Sequence, residues 1–284
     1  MTESEAAATA SAEQGTRNLL MRVSAAVVLA PLAIALAYAG GWLWAALVSL
    51  AAIGLYVEWL TIVATHTPRV LAAGVVALAI AGTLLATGRI DASLLVLVVL
   101  VVGLAGVMLL SPGWRLWTAA GFGYAAAAEV ASVMVRLDQA YGFVALILIL
   151  LVVWVTDIGG YFVGRGIGGP RLWPRVSPKK TWAGAIGGFV ASLAVAAGFA
   201  VFGLGKTGPL LLLGAVLSIA SQLGDLFESA VKRRFGVKDS SHIIPGHGGL
   251  LDRLDGFVAA IVLAAIFGFL RGGADGVGRG LMVW

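Results

Sequence analysis

The sequence contains no cysteine and few charged side chains, and each absence excludes a broad class of protein. Only 12% of the 284 residues are charged, whereas about 25% is usual in soluble domains. Without thiols the chain forms neither disulfides nor thiolate metal sites, so any metal must be held by oxygen or histidine nitrogen. The composition therefore argues against a soluble domain and against zinc, and it favours magnesium.

Long apolar runs take the place of the missing charge. Hydrophobic residues make up 60% of the chain, and the mean hydropathy is +1.00. About nine runs reach the roughly 20 residues that a helix needs to cross a bilayer, and they lack the alternation of barrel strands. We therefore expect an all-α, polytopic integral membrane protein with about nine transmembrane helices. The expected spans are residues 19–39, 41–63, 70–87, 92–110, 117–136, 141–164, 182–203, 209–231 and 254–271.

Hydropathy and charge together predict the organisation and the orientation of the chain. Residues 1–17 are expected to form a disordered cytoplasmic tail, residues 18–140 the N-terminal transmembrane helices, and residues 141–284 a catalytic transmembrane region with two cytoplasmic loops, 165–181 and 232–253. With nine spans, 14 of the 19 Lys and Arg residues fall on the side of the membrane that holds the N-terminus. Because positive loops face the cytoplasm, we expect a plasma-membrane protein with a cytoplasmic N-terminus and an external C-terminus.

Residues 221–236, SQLGDLFESAVKRRFG, carry polar groups at the end of an apolar run. Asp225, Glu228, Ser229 and Lys232 share one helical face, because they are spaced i, i+3, i+4 and i+7. Acids within membrane helices are costly unless they face a wet cavity, which favours a functional interpretation. An ion pair between Glu228 and Lys232 that merely closes the helix is the alternative.

A second acidic pair begins the last span, in LLDRLDGF. Asp252 and Asp255 are three residues apart and project together, and capping of a helix N-terminus could explain one of them. With Asp225 they supply three carboxylates, which suit one or two Mg²⁺ ions. Just upstream, Gly246, Gly248 and Gly249 allow a turn whose backbone N–H groups bind an anion. His247 is expected to point into that turn, as a phosphate contact or as a partner of a metal ligand.

Two further segments are candidates for anion binding or for polar groups in the same cavity. In VSPKKTWAG, Ser177 is expected to cap a helix that Pro178 begins, with Lys179 and Lys180 beside its N–H groups. The alternative is a capped helix whose lysines only extend their charged ends towards the membrane surface. In WVTDIGGYFVGRGIG, Asp157 precedes several glycines and is expected to face the cavity, although glycines also serve helix packing. The intramembrane acids Glu58 and Glu129 receive no role, and each is expected to pair internally with a cation or a backbone group.

Residues 229–256, SAVKRRFGVKDSSHIIPGHGGLLDRLDG, resemble the signature of CDP-diacylglycerol synthases, also called phosphatidate cytidylyltransferases. GDLFES and SPKKTW are also similar to stretches of that family, so the resemblance covers roughly the C-terminal half. Ala183 and Ser241 depart from the pattern, where Glu and Gly are frequent. The matching residues are Ser229, Lys232, Arg233, Lys238, Asp239, Pro245, His247, Gly248, Gly249, Asp252, Arg253 and Asp255.

The resemblance implies a Mg²⁺-dependent nucleotidyltransferase that converts CTP and phosphatidic acid to CDP-diacylglycerol and pyrophosphate. It also implies a homodimer among membrane lipids, with no nucleic-acid partner. Asp225, Asp252 and Asp255 are assigned to Mg²⁺, with or without a second cation. The catalytic assignment comprises Asp225, Lys232, Arg233, Lys238, Asp239, His247 and Arg253. The substrate-binding assignment comprises Asp157, Ser177, Lys179, Lys180, Ser229, Gly246, Gly248 and Gly249.

Three other classes of protein are alternatives to this interpretation. A CTP-dependent lipid or polyprenol kinase would transfer the γ-phosphate with the same metal and cationic groups. An ion-coupled transporter would use Asp157, Glu58, Glu129 and Asp225 as an ion path and predicts an inverted repeat, which the sequence does not display. A CDP-alcohol phosphotransferase would carry a D-G-x-x-A-R stretch, which the sequence lacks.

Overall fold

The structure is a computed structural model, and it describes residues 30–88, 92–241 and 248–284. The expected tail, the start of the first span and the site residues Gly246 and His247 lie outside these residues. Ten helices and two strands are described. They are α1 (Ala30–Ala39), α2 (Gly41–Ile62), α3 (Pro68–Ala86), α4 (Ala92–Leu110), α5 (Arg115–Leu137), α6 (Gly142–Ile167), β1 (Arg171–Trp173), β2 (Ser177–Thr181), α7 (Trp182–Val201), α8 (Thr207–Arg234), α9 (Leu251–Gly272) and α10 (Val277–Met282).

The all-α membrane fold is confirmed. Within the described part of the chain, eight helices, α2 to α9, are long and apolar enough to cross a membrane. Of the first expected span, residues 19–39, only α1 is described, because residues 19–29 lie outside the part of the chain that the structure describes. The short α10 was not expected from hydropathy, since six residues are too few to span a bilayer.

The helices form one bundle in which α9 connects the two halves of the chain. It packs against α8 and α6 from the C-terminal half and against α5 and α2 from the N-terminal half. Two apolar clusters of buried side chains both include residues of α2, α5, α8 and α9. We call the end of the bundle at which α2, α6 and α8 end, and at which α7 and α9 begin, the polar end.

Glycines allow the helices around the polar end to approach closely. A Cβ atom added to Gly224 of α8 would lie 2.6 Å from the carbonyl oxygen of Asp255 on α9. One added to Gly184 of α7 would lie 2.7 Å from the carbonyl oxygen of Gly160 on α6. Small residues at such crossings let backbones pack in membranes. The packing alternative for the α6 glycines is therefore confirmed, and the α8–α9 crossing brings Asp225 and Asp255 onto neighbouring helices.

The prediction that a helix begins at Ser177 is wrong, because the chain is extended there. Ser177–Thr181 forms β2, which pairs antiparallel with β1. Proline disfavours helical geometry in the residue before it, which keeps Ser177 extended. The helix begins only at Trp182, where the Thr181 hydroxyl accepts a hydrogen bond from the Gly184 N–H at 3.1 Å. The N-cap is thus displaced by four residues.

The loop expected at residues 232–253 is shorter than the hydropathy predicts. Helix α8 continues to Arg234 and α9 already begins at Leu251. Lys232 and Arg233 therefore lie in the last turn of α8, and Asp252 lies in the first turn of α9. Charged residues at helix ends lower the hydropathy without ending the helix, because basic groups there complement the C-terminal dipole.

Candidate active site

The first charged contact at the polar end joins β2 to α8. Lys180 of β2 forms an ion pair with the Asp225 carboxylate, and the Ser229 hydroxyl lies 3.5 Å from the other Asp225 oxygen. Both ionic side chains remain partly exposed, at 30% for Lys180 and 28% for Asp225. Because successive side chains of a strand point to opposite faces, Lys179 is directed elsewhere and is exposed.

The second charged contact joins α8 to α9 through Lys232. Its ammonium nitrogen lies 2.7 Å from Glu228 Oε2 and also forms an ion pair with Asp252 Oδ1. The three side chains are largely buried, so these charges are poorly screened by water. The expected Glu228–Lys232 pair therefore exists, and it extends to the neighbouring helix rather than only closing α8.

The other oxygen of Asp252 holds the chain on both sides of residues 242–247. Asp252 Oδ2 accepts hydrogen bonds from the Ser240 N–H at 3.1 Å and the Gly249 N–H at 3.0 Å, and the oxygen of the Ser240 hydroxyl lies 3.0 Å from it. Both carboxylate oxygens thus have donors of their own. In this structure Asp252 orders Lys232, Ser240 and the start of α9, and it does not share a partner with Asp225.

A group of carboxylates surrounds Asp255, one turn further along α9. It interacts electrostatically with Asp225, Glu228 and Asp157, and its Oδ1 accepts the Gly256 N–H at 2.7 Å. Glu228 is 1% exposed, and its Oε1 atom accepts no hydrogen bond. The carboxylates of α6, α8 and α9 thus lie near enough to one another to interact electrostatically, and a buried oxygen of Glu228 among them lacks a donor.

The composition of this group suits a hard divalent cation. Asp157, Asp225, Glu228, Asp252 and Asp255 are five carboxylates, and two lysine ammonium groups are paired with them. Carboxylate oxygens are the ligands that Mg²⁺ prefers. Within residues 30–88, 92–241 and 248–284, no three such side chains already stand at metal-binding distances from one point. The chemistry of the donors fits Mg²⁺, and three of the five carboxylates, Asp225, Glu228 and Asp252, are paired with lysines in this structure.

Glu58 of α2 is a residue of the site that the sequence did not assign. It is fully buried, and its carboxylate accepts four hydrogen bonds from the other half of the chain. The donors are the Ser240 hydroxyl at 2.8 Å, the Ser241 hydroxyl at 2.6 Å, the Leu250 N–H at 2.7 Å and the Leu251 N–H at 2.7 Å. The available signal was an acid near the end of an apolar span, but no sequence pattern links it to partners so distant along the chain.

The remaining assigned residues lie at the polar end with fewer contacts. Arg233, Lys238, Asp239 and Arg253 are exposed there, and Arg233 Nε is 3.5 Å from the Val176 carbonyl oxygen. Gly248 has a φ of +79°, which favours glycine, and Ser177 is half-buried in β2. Asp157 is exposed on α6.

Glu129 lies apart from this group. It is buried in α5, and one of its oxygens accepts a 2.6 Å hydrogen bond from the Ser49 hydroxyl of α2. The pairing with a cation or a backbone group that was expected of the two unassigned acids is seen for Glu58, which accepts two backbone N–H groups. The hydrogen bond described for Glu129 comes from a serine hydroxyl instead.

The fold and the site define a polytopic membrane protein with a carboxylate and lysine centre at one end of its helix bundle. A model of the cytidylyltransferase family matches residues 20–270. The chain belongs to the cytidylyltransferase family, and its enzyme class is that of the nucleotidyltransferases.

Curated relatives agree with this assignment. The chain is 43% identical over 260 residues to a protein of Brucella suis, which covers 88% of this chain and 93% of the relative. It is 48% identical over 128 residues to a protein of Bacillus subtilis, which covers 43% of this chain and 46% of the relative. It is 44% identical over 139 residues to a protein of Haemophilus influenzae, and this match covers 46% of this chain and 48% of the relative. Each is called phosphatidate cytidylyltransferase, so the family resemblance found in the sequence is confirmed.

Proposed function

We propose that the protein is a phosphatidate cytidylyltransferase, which makes CDP-diacylglycerol and pyrophosphate from CTP and phosphatidate. The observation that carries this proposal is the set of ion pairs by which Lys180 contacts Asp225 and Lys232 contacts Asp252, at one end of a membrane bundle. A water-soluble nucleotide and a membrane lipid can meet at such a place. The names and the coverage of the relatives support the same reaction.

The reaction needs charge control more than proton transfer. A phosphate oxygen of phosphatidate attacks the α-phosphorus of CTP, the bond to the β-phosphate oxygen breaks, and pyrophosphate leaves with the electron pair. The second pKa of a phosphomonoester is about 6, so the attacking oxygen is already ionised near neutral pH. The difficulty is to bring two anions together, and positioned cations remove it.

The cationic side chains divide between buried and exposed positions. We assign Lys232, Arg233 and Lys238 to the phosphates of CTP, because the first two lie in the last turn of α8 and Lys238 lies four residues beyond its end. Lys180 lies across the cluster on β2, and we assign it to the other anion, the headgroup of phosphatidate. Ser177 and Lys179 alternate with Lys180 along the strand and are directed to its other face, so we do not assign them to this anion. Lys180 and Asp225 are partly exposed, so a phosphate group can replace the carboxylate as the partner of Lys180.

We propose that Asp225 and Asp255 hold Mg²⁺, with the unpartnered Glu228 oxygen beside them and Asp157 as a further candidate. When bound, the ion neutralises the triphosphate and the departing pyrophosphate. Asp252 was also expected to be a ligand, but its two oxygens bind Lys232, Ser240 and Gly249. We therefore give Asp252 a positioning role. A thermal shift on adding Mg²⁺, present in wild type and lost in Asp225→Asn, tests the ligand assignment without relying on turnover.

The orientation and the assembly are also proposals. We place the polar end in the cytoplasm, because the basic residues of its loops fit the positive-inside rule. The family resemblance supports a homodimer, which cross-linking in membranes would test.

Labelled CTP distinguishes this function from its alternatives. Purified protein in mixed micelles with phosphatidate and Mg²⁺ should transfer label from α-labelled CTP into the lipid. Label from γ-labelled CTP in the lipid would instead identify a lipid kinase. No label in the lipid from either nucleotide would contradict both transferase functions and would favour transport.

A further inference from the structure

Glu58 belongs to the N-terminal half, where the sequence offered only hydropathy, yet it contacts the polar end directly. Each of its two carboxylate oxygens accepts one backbone N–H and one serine hydroxyl. Oε1 binds Leu250 and Ser241, and Oε2 binds Leu251 and Ser240. The four donors come from the residues just after α8 and from the first residues of α9.

This arrangement supplies α9 with a cap from another helix. The first N–H groups of a helix have no partner within it, and Leu250 at the N-cap position has no polar side chain to offer. A negative group there also interacts favourably with the helix dipole. Because Glu58 is fully buried, water does not replace it if the carboxylate is lost.

The contacts of Glu58 continue to the residues assigned to catalysis. The Ser240 hydroxyl that lies 2.8 Å from Glu58 also lies 3.0 Å from Asp252 Oδ2. Asp252 in turn forms the ion pair with Lys232. The first turns of α9, which Glu58 caps, carry both Asp252 and Asp255. A shift of this helix end would therefore move a lysine and two carboxylates together.

We propose that Glu58 is a positioning residue for the reaction, holding Ser240 and the N-terminal end of α9 so that Asp252, Asp255 and Lys232 keep their arrangement. The inference rests on the proposed function, because it assigns those groups to nucleotide transfer. The contacts of Glu58 are to protein donors, so we assign it no direct contact with substrate or metal.

The decisive variant is Glu58→Gln, which changes one oxygen to an amide group that cannot accept a backbone N–H. Glu58→Asp keeps the charge and both carboxylate oxygens, but its side chain is one methylene shorter, so the oxygens lie further from their donors. Glu129→Gln is the matched control, because Glu129 is equally buried in the membrane and binds Ser49 instead of the polar end. All three proteins are compared with wild type for kcat, for KM towards CTP and for amide hydrogen exchange.

Glu58→Gln should lower kcat by roughly ten- to a hundredfold, the effect of losing one hydrogen bond to a charged group. The KM for CTP should rise by a smaller factor than kcat falls, because Arg233 and Lys238, two of the three cations assigned to its phosphates, are exposed and have no contact with Glu58. Exchange should accelerate at Leu250 and Leu251, and Glu58→Asp should recover part of both losses. Glu129→Gln should match wild type in all these measurements.

Two results would overturn the inference. One is a kcat of Glu58→Gln equal to that of wild type, measured under conditions in which wild type is active. The other is equal loss in Glu58→Gln and Glu129→Gln, which would indicate general destabilisation. If wild type transfers no cytidylyl group, the proposed function fails and the catalytic role of Glu58 fails with it. Amide exchange still decides in that case whether Glu58 caps α9, because it requires no turnover.

Discussion

Lys232 near the end of α8 is ion-paired with Asp252 in the first turn of α9. The same ammonium group binds Glu228, which is 2% exposed in its side chain. A single buried cation therefore neutralises carboxylates from two helices and fixes their relative position. This contact gives Lys232 two separable roles, one in stability and one in binding anionic phosphates.

The two roles of Lys232 can be separated with a second substitution. Lys232→Met leaves two buried carboxylates without their cation, and removing one partner of a buried pair costs about 3–5 kcal/mol. Adding Glu228→Gln removes one of the unpaired charges, so the thermal midpoint should recover substantially. Cytidylyl transfer should remain low in the double variant, because the phosphate-binding ammonium group is still missing. Recovery of turnover together with stability would contradict the phosphate-binding role.

The two adjacent lysines of β2 should differ in importance. Lys180 is paired with Asp225, whereas Lys179 is exposed on the other face of the strand. Lys180→Met should lower kcat/KM for phosphatidate by roughly ten- to a hundredfold, the loss expected for one charge-assisted contact. Lys179→Met is the matched control and should have a much smaller effect. Equal losses in the two variants would argue against the strand geometry.

The α8–α9 crossing should not tolerate a larger residue. A Cβ atom on Gly224 would lie 2.6 Å from the Asp255 carbonyl oxygen and 2.6 Å from the Ala259 Cβ. Gly224→Ala should therefore force the helices apart, lowering stability by about 1–3 kcal/mol and reducing turnover through displacement of Asp255. Gly123→Ala on α5 is the control, because no atom lies within 4 Å of the added Cβ. Thermal unfolding in detergent measures both, and a stable, active Gly224→Ala protein would be the contrary outcome.

The sequence predicted the helices well because apolar length alone determines whether a segment crosses a bilayer. It also predicted that Asp225, Glu228 and Lys232 share a face, because helical periodicity is local. It could not predict that Glu58 caps α9, since their contact depends on how α2 packs against a distant part of the chain. The strand at Ser177–Thr181 was missed because Ser-Pro followed by lysines also fits a helix start. Without the strand, Lys179 and Lys180 were indistinguishable.

The proposed orientation can be tested with introduced cysteines, because the natural chain has none. Lys238 is exposed at the polar end, and Asp275 is exposed beyond the opposite end of α9. A membrane-impermeant maleimide should label Asp275→Cys in intact cells, and it should label Lys238→Cys only after permeabilisation. The reverse pattern would place the carboxylate and lysine centre outside the cell, away from CTP.

The most direct test of the account measures lipid labelling by wild type and Asp225→Asn, each supplied in parallel with α-labelled and γ-labelled CTP. Asp275→Asn serves as the control, because this exposed acid lies at the opposite end of the bundle. The account predicts α-label in the lipid with wild type and with Asp275→Asn, a loss of at least roughly a hundredfold with folded Asp225→Asn, and no γ-label in the lipid. Undiminished α-transfer by Asp225→Asn would contradict the assigned centre, and γ-label in the lipid would contradict the assigned reaction.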